Sequence, residues 1–167
     1  EDDHDLRIVG NLPYNISTPL IFKLLTHLPI VRDMHFMLQK EVVDRLAARP
    51  GNKNWGRLSV MTQVDCDVEH LFDVPPEAFY PQPKVQSAIV RLTPKTTSHR
   101  PDCSREGLGK LVQLAFAQRR KTLRNNLRGV IDDSVMQRLG IDPACRAETL
   151  TLDQLMDLSL ELPQAAI

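Results

Sequence analysis

Four consecutive residues, Asn11-Leu12-Pro13-Tyr14, carry the clearest chemical suggestion in this chain. An amino group conjugated to a purine ring is a poor nucleophile, because its lone pair is delocalised into the ring. Hydrogen-bond acceptors aimed at its N–H protons favour a tetrahedral nitrogen. They also stabilise the positive charge that develops on attack. Asn11 offers a side-chain oxygen, Leu12 a backbone carbonyl, Pro13 stiffness, and Tyr14 a ring that can stack on a base. No general base has to act first, since the amine becomes acidic once alkylated. Asn11, Leu12, Pro13 and Tyr14 are therefore the candidate catalytic residues. A plain Asn-x-Pro turn is the competing reading.

A second segment, Phe79-Tyr80-Pro81-Gln82-Pro83-Lys84-Val85-Gln86-Ser87, puts an aromatic on a proline-stiffened loop ahead of a strand. Phe79 can present a stacking face at low entropic cost, or it can anchor a rigid hairpin. The third segment, Gln118 to Arg128, holds five basic residues: Arg119, Arg120, Lys121, Arg124 and Arg128. These suit contacts to nucleic-acid phosphates, with a solvated helix face as the alternative. Arg57 and Lys84 add cations to the same list. Trp55 reads as a packing residue in a loop, with base stacking as the alternative. His4, His27, His35, His70 and His99 show no ligand spacing, and neither do Cys66, Cys103 and Cys145, so no metal site is expected. An odd cysteine count argues against a disulfide framework and fits reduced thiols in a cytoplasmic protein.

The elements around these residues follow from periodicity. Leu6 to Gly10 is a short apolar run that reads as a buried strand, and it delivers Asn11 to the strand's end. Ser17 or Thr18 is expected to cap a helix with Ile21, Leu24, Leu25 and Leu28 on one face. Met34 to Leu38 reads as a second buried strand, followed by a helix containing Val42, Val43 and Leu46. Gly56-Arg57 opens another helix with Leu58, Met61 and Val64. Val68 to Val74 and Val85 to Leu92 read as two strands. Strand–helix alternation implies a mostly parallel sheet, and the last two strands imply an antiparallel pair at one edge. Thr93 to Asp102 is polar and contains two prolines. Beyond it the pattern is helical only. Leu108, Leu111, Val112, Ala115 and Phe116 form one face, Ser134 or Asp133 caps a short helix ended by Gly140, and Thr151 caps a last helix with Leu152, Leu155, Met156 and Leu160. The expected organisation is a partial α/β domain at 1–95, a linker at 96–102 and an all-α domain at 103–167.

A chain of 167 residues can bury a real core. Formal net charge is zero, with 11 basic against 12 acidic residues up to Thr97 and 10 against 9 after it. Any nucleic-acid surface must therefore come from local clustering. No signal peptide is evident, and no apolar run approaches the ~18 residues of a membrane span. Glu1 to Asp5 reads as the tail of a loop feeding straight into a strand, so the chain looks cut from something longer.

Taken together, the motifs resemble those of the RNA adenine dimethyltransferases, in particular the bacterial small-subunit ribosomal RNA enzymes of the KsgA type. Asn11-Leu12-Pro13-Tyr14 with Asn15-Ile16-Ser17-Thr18-Pro19 is similar to that family's catalytic loop. Gln39-Lys40-Glu41-Val42, Gly56-Arg57-Leu58-Ser59-Val60 and the Phe79 to Ser87 segment follow in the family's order. Gln118-Arg119-Arg120-Lys121-Thr122 and Gly140-Ile141-Asp142-Pro143 are similar to its C-terminal domain. The resemblance implies the C-terminal half of a class I, Rossmann-like methyltransferase sheet with a small all-α domain. It implies S-adenosylmethionine as methyl donor, touched by Asn11, Leu12 and Pro13. It implies a flipped adenine held by Tyr14 and Phe79, methylated twice, and small-subunit ribosomal RNA gripped by Lys84, Arg57, Arg119, Arg120, Lys121 and Arg124. The glycine-rich turn and acidic residues that bind the rest of the cofactor precede the catalytic loop in that family. The only Gly-x-Gly here is Gly107-Leu108-Gly109, in the helical part. The chain alone is therefore expected to bind cofactor weakly and to lack activity. A large-subunit enzyme of the antibiotic-resistance type and a non-catalytic assembly factor are the alternatives. Oligomeric state is not legible.

Overall fold

The computed structural model describes residues 6–95 and 102–163. The expected linker, apart from Asp102, lies outside the described residues, as do the first five residues and His99. The chain forms two compact units, one of Glu1–Ala47 with Asp65–Thr97 and one of Ala48–Val64 with Ser98–Ile167. Residues 48–64 group with the helical unit, although a linear division at 95 and 103 assigns them to the sheet.

The first unit is built on strands β1 (Leu6–Asn11), β2 (Val31–Gln39), β3 (Cys66–Val74) and β4 (Ser87–Pro94), with helices α1 (Ser17–Leu24) and α2 (Lys40–Leu46). Strand order is β1-β2-β4-β3. β1 runs parallel to β2, and β4 is antiparallel to both β2 and β3. The sheet is therefore less parallel than the alternation implied, because the β3–β4 hairpin turns back and inserts β4 beside β2. One face supplies the core. Met34 pairs with Leu92, Phe36 with Val90 and Leu38 with Ala88, and all six are 0–1% exposed. This is the period-2 alternation of strands with one buried face. Val43 and Leu46 of α2 and Ile21 of α1 are also buried.

β1 departs from expectation. It is exposed or half-exposed along its length, with Val9 72% exposed, because it lies at a sheet edge. Its one strong tie to β2 beyond the ladder is the two-pronged pair of Arg7 with Asp33, at 2.7 and 2.8 Å. The hydrogen bond to Arg7 holds the Asp33 carboxyl below its ordinary value. β3 forms the opposite edge and carries an irregularity between His70 and Phe72.

The start of α1 also differs from the sequence reading. Ile16 flanks the helix and makes no side-chain cap. Ser17 is buried and donates its hydroxyl to the Tyr14 carbonyl at 3.2 Å, so it ties the preceding loop to the helix instead of capping it.

The second unit contains α3 (Arg57–Gln63), α4 (Arg105–Ala115), α5 (Leu123–Asn126), α6 (Asp133–Arg138) and α7 (Leu152–Leu160). α4 packs against α7 and α3. Leu108, Leu111, Val112, Leu123, Leu127, Met136 and Leu155 are fully buried. Phe116 is only half-buried and Leu160 is exposed, so both fall off the faces assigned to them. Ser104 caps α4 by accepting from the Gly107 N–H at 2.9 Å. Thr151 and Gln154 form a reciprocal capping box on α7. α6 is flanked by Asp132, not Asp133 or Ser134, and has no side-chain cap. Its C-terminus follows the glycine rule: Gly140 has φ +71°. The Gly140 N–H donates to Gln137 O at 3.0 Å and the Ile141 N–H to Met136 O at 2.9 Å.

Candidate functional site

Asn11 is the last residue of β1 and faces Met37 across the parallel ladder. The Leu12 N–H donates to Met37 O at 3.2 Å, which carries the pairing one step past the strand. Pro13 stops it, having no N–H to give. A turn follows, with the Ile16 N–H donating to Pro13 O at 3.2 Å. Gly10 lies close to this turn: a Cβ there would sit 3.3 Å from the end of the Leu12 side chain, which would have to give by a few tenths of an ångström. Leu12 is thus buried and pinned, while Asn11, Pro13 and Tyr14 are exposed.

Asn11, Leu12, Pro13 and Tyr14 line an open cleft of about 310 Å³ together with Met37. Phe79, Tyr80, Pro81, Pro83 and Ser87 complete its lining. The sequence motifs at 11–14 and 79–87 therefore meet at one cleft. Tyr14 Oη lies 3.5 Å from Ser87 Oγ. The start of β4 is held in turn by the Lys40 N–H, which donates to Gln86 O at 2.8 Å. Lys40 Nζ reaches Asp44 at 2.9 Å and Asp73 at 3.7 Å. The hydrogen bond to Asp44 raises the Lys40 pKa above its ordinary value. The Gln39-Lys40-Glu41-Val42 motif thus positions the loop that carries Phe79. Met37 and Ser87 were not singled out from sequence. Ser87 lay inside a quoted motif, and Met37 was legible only as a strand residue.

Among the described residues, the Asn11 carboxamide and the Leu12 carbonyl have no hydrogen-bond partner within the protein. Two adjacent acceptors are therefore available in a cleft that Tyr14, Phe79 and Tyr80 also line. The lining contains no carboxylate, imidazole, thiol or amine. It is equipped to bind and polarise a flat, hydrogen-bonding group and holds no titrating base.

The basic segment resolves into residues with different duties. One Arg119 Nη donates to the Lys53 carbonyl and to the Trp55 carbonyl, the latter at 3.1 Å, and lies 3.5 Å from Glu148. Trp55 itself is buried, and its indole N–H donates to Leu150 O at 3.0 Å. Arg124 pairs with Asp133 at 2.6 Å, and Arg128 donates to the Asn125 side chain at 2.7 Å. Among the described residues, the exposed side chains of Arg120 and Lys121 have no partner. Arg57, also exposed, lies in the helical unit at the start of α3, and exposed Lys84 lies in the sheet unit beside the cleft loop.

Burial raises the Cys66 thiol pKa to about 12, and Cys66, Cys103 and Cys145 are unpaired. Among the described residues, no helix is long and apolar enough to cross a membrane.

A family model described as ribosomal RNA adenine dimethylase matches residues 1–164. A protein named ribosomal RNA small subunit methyltransferase A from Saccharophagus degradans is 60% identical over 157 residues, covering 94% of this chain and 59% of that protein. Its namesake from Pseudomonas aeruginosa is 54% identical over 164 residues, covering 98% of this chain and 61% of its own length. The chain thus spans about three fifths of these relatives. The solved structure of a dimethyladenosine transferase from Plasmodium falciparum superposes with a TM-score of 0.78 at 28% identity, over 91% of this chain and 64% of that one. The 23S rRNA methyltransferase ErmE shares the fold, with a TM-score of 0.71 at 23% identity over 95% of this chain and 66% of that one.

Proposed function

The chain belongs to the ribosomal RNA adenine dimethylase family, and from that premise we propose that its cleft holds a target adenine of small-subunit ribosomal RNA for S-adenosylmethionine-dependent dimethylation of the exocyclic amino group. The observation that carries this reading is the pair of free acceptors at Asn11 and Leu12, at the end of a strand, in a cleft that Tyr14 and Phe79 also line. Asn11 Oδ1 and the Leu12 carbonyl accept from the two N–H protons of the amino group and lower the cost of the charge formed on attack. Tyr14 and Phe79 hold the flipped base by its faces. The proton leaves after alkylation, when the nitrogen is acidic, so the cleft needs no base. The small-subunit substrate rests on the names of the relatives at 54–60% identity. Arg57, Lys84, Arg120, Lys121 and Arg124 supply RNA phosphate contacts, and Arg119 orders the loop that holds Lys53 and Trp55. The setting is ribosome assembly in the cytoplasm.

S-adenosylmethionine supplies an electrophilic methyl group when bound. The residues here fit its methionine end, at Asn11, Leu12 and Pro13. Gly107 and Gly109 lie within α4, with Gly107 buried, so they make no glycine-rich turn for the nucleoside end. The isolated chain is expected to show no saturable S-adenosylmethionine binding by calorimetry, and tight binding would overturn that assignment. In the full-length protein, Asn11→Ala is expected to lower methyl transfer to small-subunit RNA roughly 100- to 1,000-fold with RNA affinity unchanged. Unchanged methylation removes Asn11 from the mechanism.

A further inference from the structure

Tyr80 has a different environment from the other rings of the cleft. Tyr14 is 46% exposed and tethered near Ser87, and Phe79 is half-buried. Tyr80 lines the same cleft yet is fully exposed. Among the described residues no other large apolar side chain exceeds 72% exposure. Phe79 follows the one-turn 3-10 helix Pro76–Ala78 and is half-buried, whereas Tyr80, the next residue, lines the cleft while exposed to solvent. Pro81 and Pro83 stiffen the segment that follows. Among the described residues the Tyr80 hydroxyl has no hydrogen-bond partner.

We propose that Tyr80 forms a second base subsite, stacking on the nucleotide that flanks the target adenine in the same RNA strand. This rests on the adenine reading of the cleft. Flipping one base out of a strand leaves its neighbour with an uncovered π face. A ring one residue along from Phe79, lining the same cleft yet exposed, is available to cover that face while Phe79 addresses the flipped base. Stacking is tolerant of base identity, so the subsite selects for a stackable base, with purines favoured by area. Exposed Lys84, four residues on, is available to the same nucleotide's phosphate.

The test is a double-mutant cycle on RNA binding. The probe is an RNA hairpin with the target adenine in its loop, made intact or with an abasic site at the target or at either flanking position. Tyr80→Ala is expected to weaken binding of the intact hairpin roughly 5- to 150-fold. It should have no further effect once one flanking base is removed, and its full effect when only the target base is removed. Tyr80→Phe and Tyr80→Trp should retain binding, and the thermal midpoint should not move. Tyr14→Ala run against the abasic target is the companion cycle. Coupling there, with none between Tyr80 and either flank, overturns the subsite alone. Coupling of Tyr80 to the target position, or equal weakening on every RNA, also overturns it. No coupling of Tyr14 to the target overturns the adenine reading and the subsite with it.

Discussion

At the residue scale the site works by hydrogen-bond acceptors and ring faces, and this sets its pH behaviour. The residues lining the cleft include no carboxylate, imidazole, thiol or amine. A required base would show as a limb in the pH profile of kcat/KM near its pKa. We expect that profile, measured on the full-length protein with saturating methyl donor, to vary less than about three-fold between pH 6 and 9. A tenfold limb with a midpoint near 7 would show that a residue outside this cleft acts as base. The four residues at 11–14 were legible because each type has a chemical reason to be there. Ser87 and Met37 were not, because a small hydroxyl and a thioether in strands have many other uses.

At the element scale, the weakly covered strand β1 depends on its edge pairing. The Arg7–Asp33 pair joins it to β2, and the folded-state pKa of Asp33 lies below the ordinary value of 3.8. The unfolded chain therefore binds the proton more readily. The pair's contribution is fully present above about pH 4 and fades as pH falls through the lower, folded value. Asp33→Asn should destabilise the chain at pH 7 and flatten the acid limb of its stability curve below pH 4, read by urea denaturation at several pH values. An unchanged acid limb would show that Asp33 does not titrate differently on folding. Helix α7 offers a second check. Thr151→Ala removes the capping hydroxyl and is expected to cost about 1 kcal/mol, whereas Ser134→Ala, at a position that caps nothing in α6, should cost less than about 0.5 kcal/mol. The sequence offered both as caps. Only the backbone path decides which hydroxyl meets an unpaired N–H.

At the scale of the whole molecule, zero net charge means that RNA affinity must be local and residue-specific. The five basic residues between Arg119 and Arg128 are not equivalent. Arg120→Ala and Lys121→Ala are each expected to reduce the slope of log affinity against log salt by about 1. Arg119→Gln should instead weaken the loop it clamps. Amide exchange at Gly51 to Gly56 should rise by an amount matching about 1 kcal/mol, with a smaller change in salt slope. Equal slopes for all three variants would return Arg119 to the phosphate contacts.

The amino-acid sequence by itself determined the chemistry-bearing segments, the strand-then-helix order and the family. These depend on residue type, periodicity and spacing, which are local. It also indicated that Trp55 packs and that Gly140 ends a helix, since a large indole and a glycine have few alternatives. The tertiary structure decided that residues 11–14 and 79–87 share one cleft. It placed β4 between β2 and β3 and residues 48–64 with the helical unit, and it left Tyr80 in water while burying Leu12. Each of those outcomes depends on contacts between residues far apart in the chain. Such contacts follow from which faces must be covered together, and no local pattern specifies them.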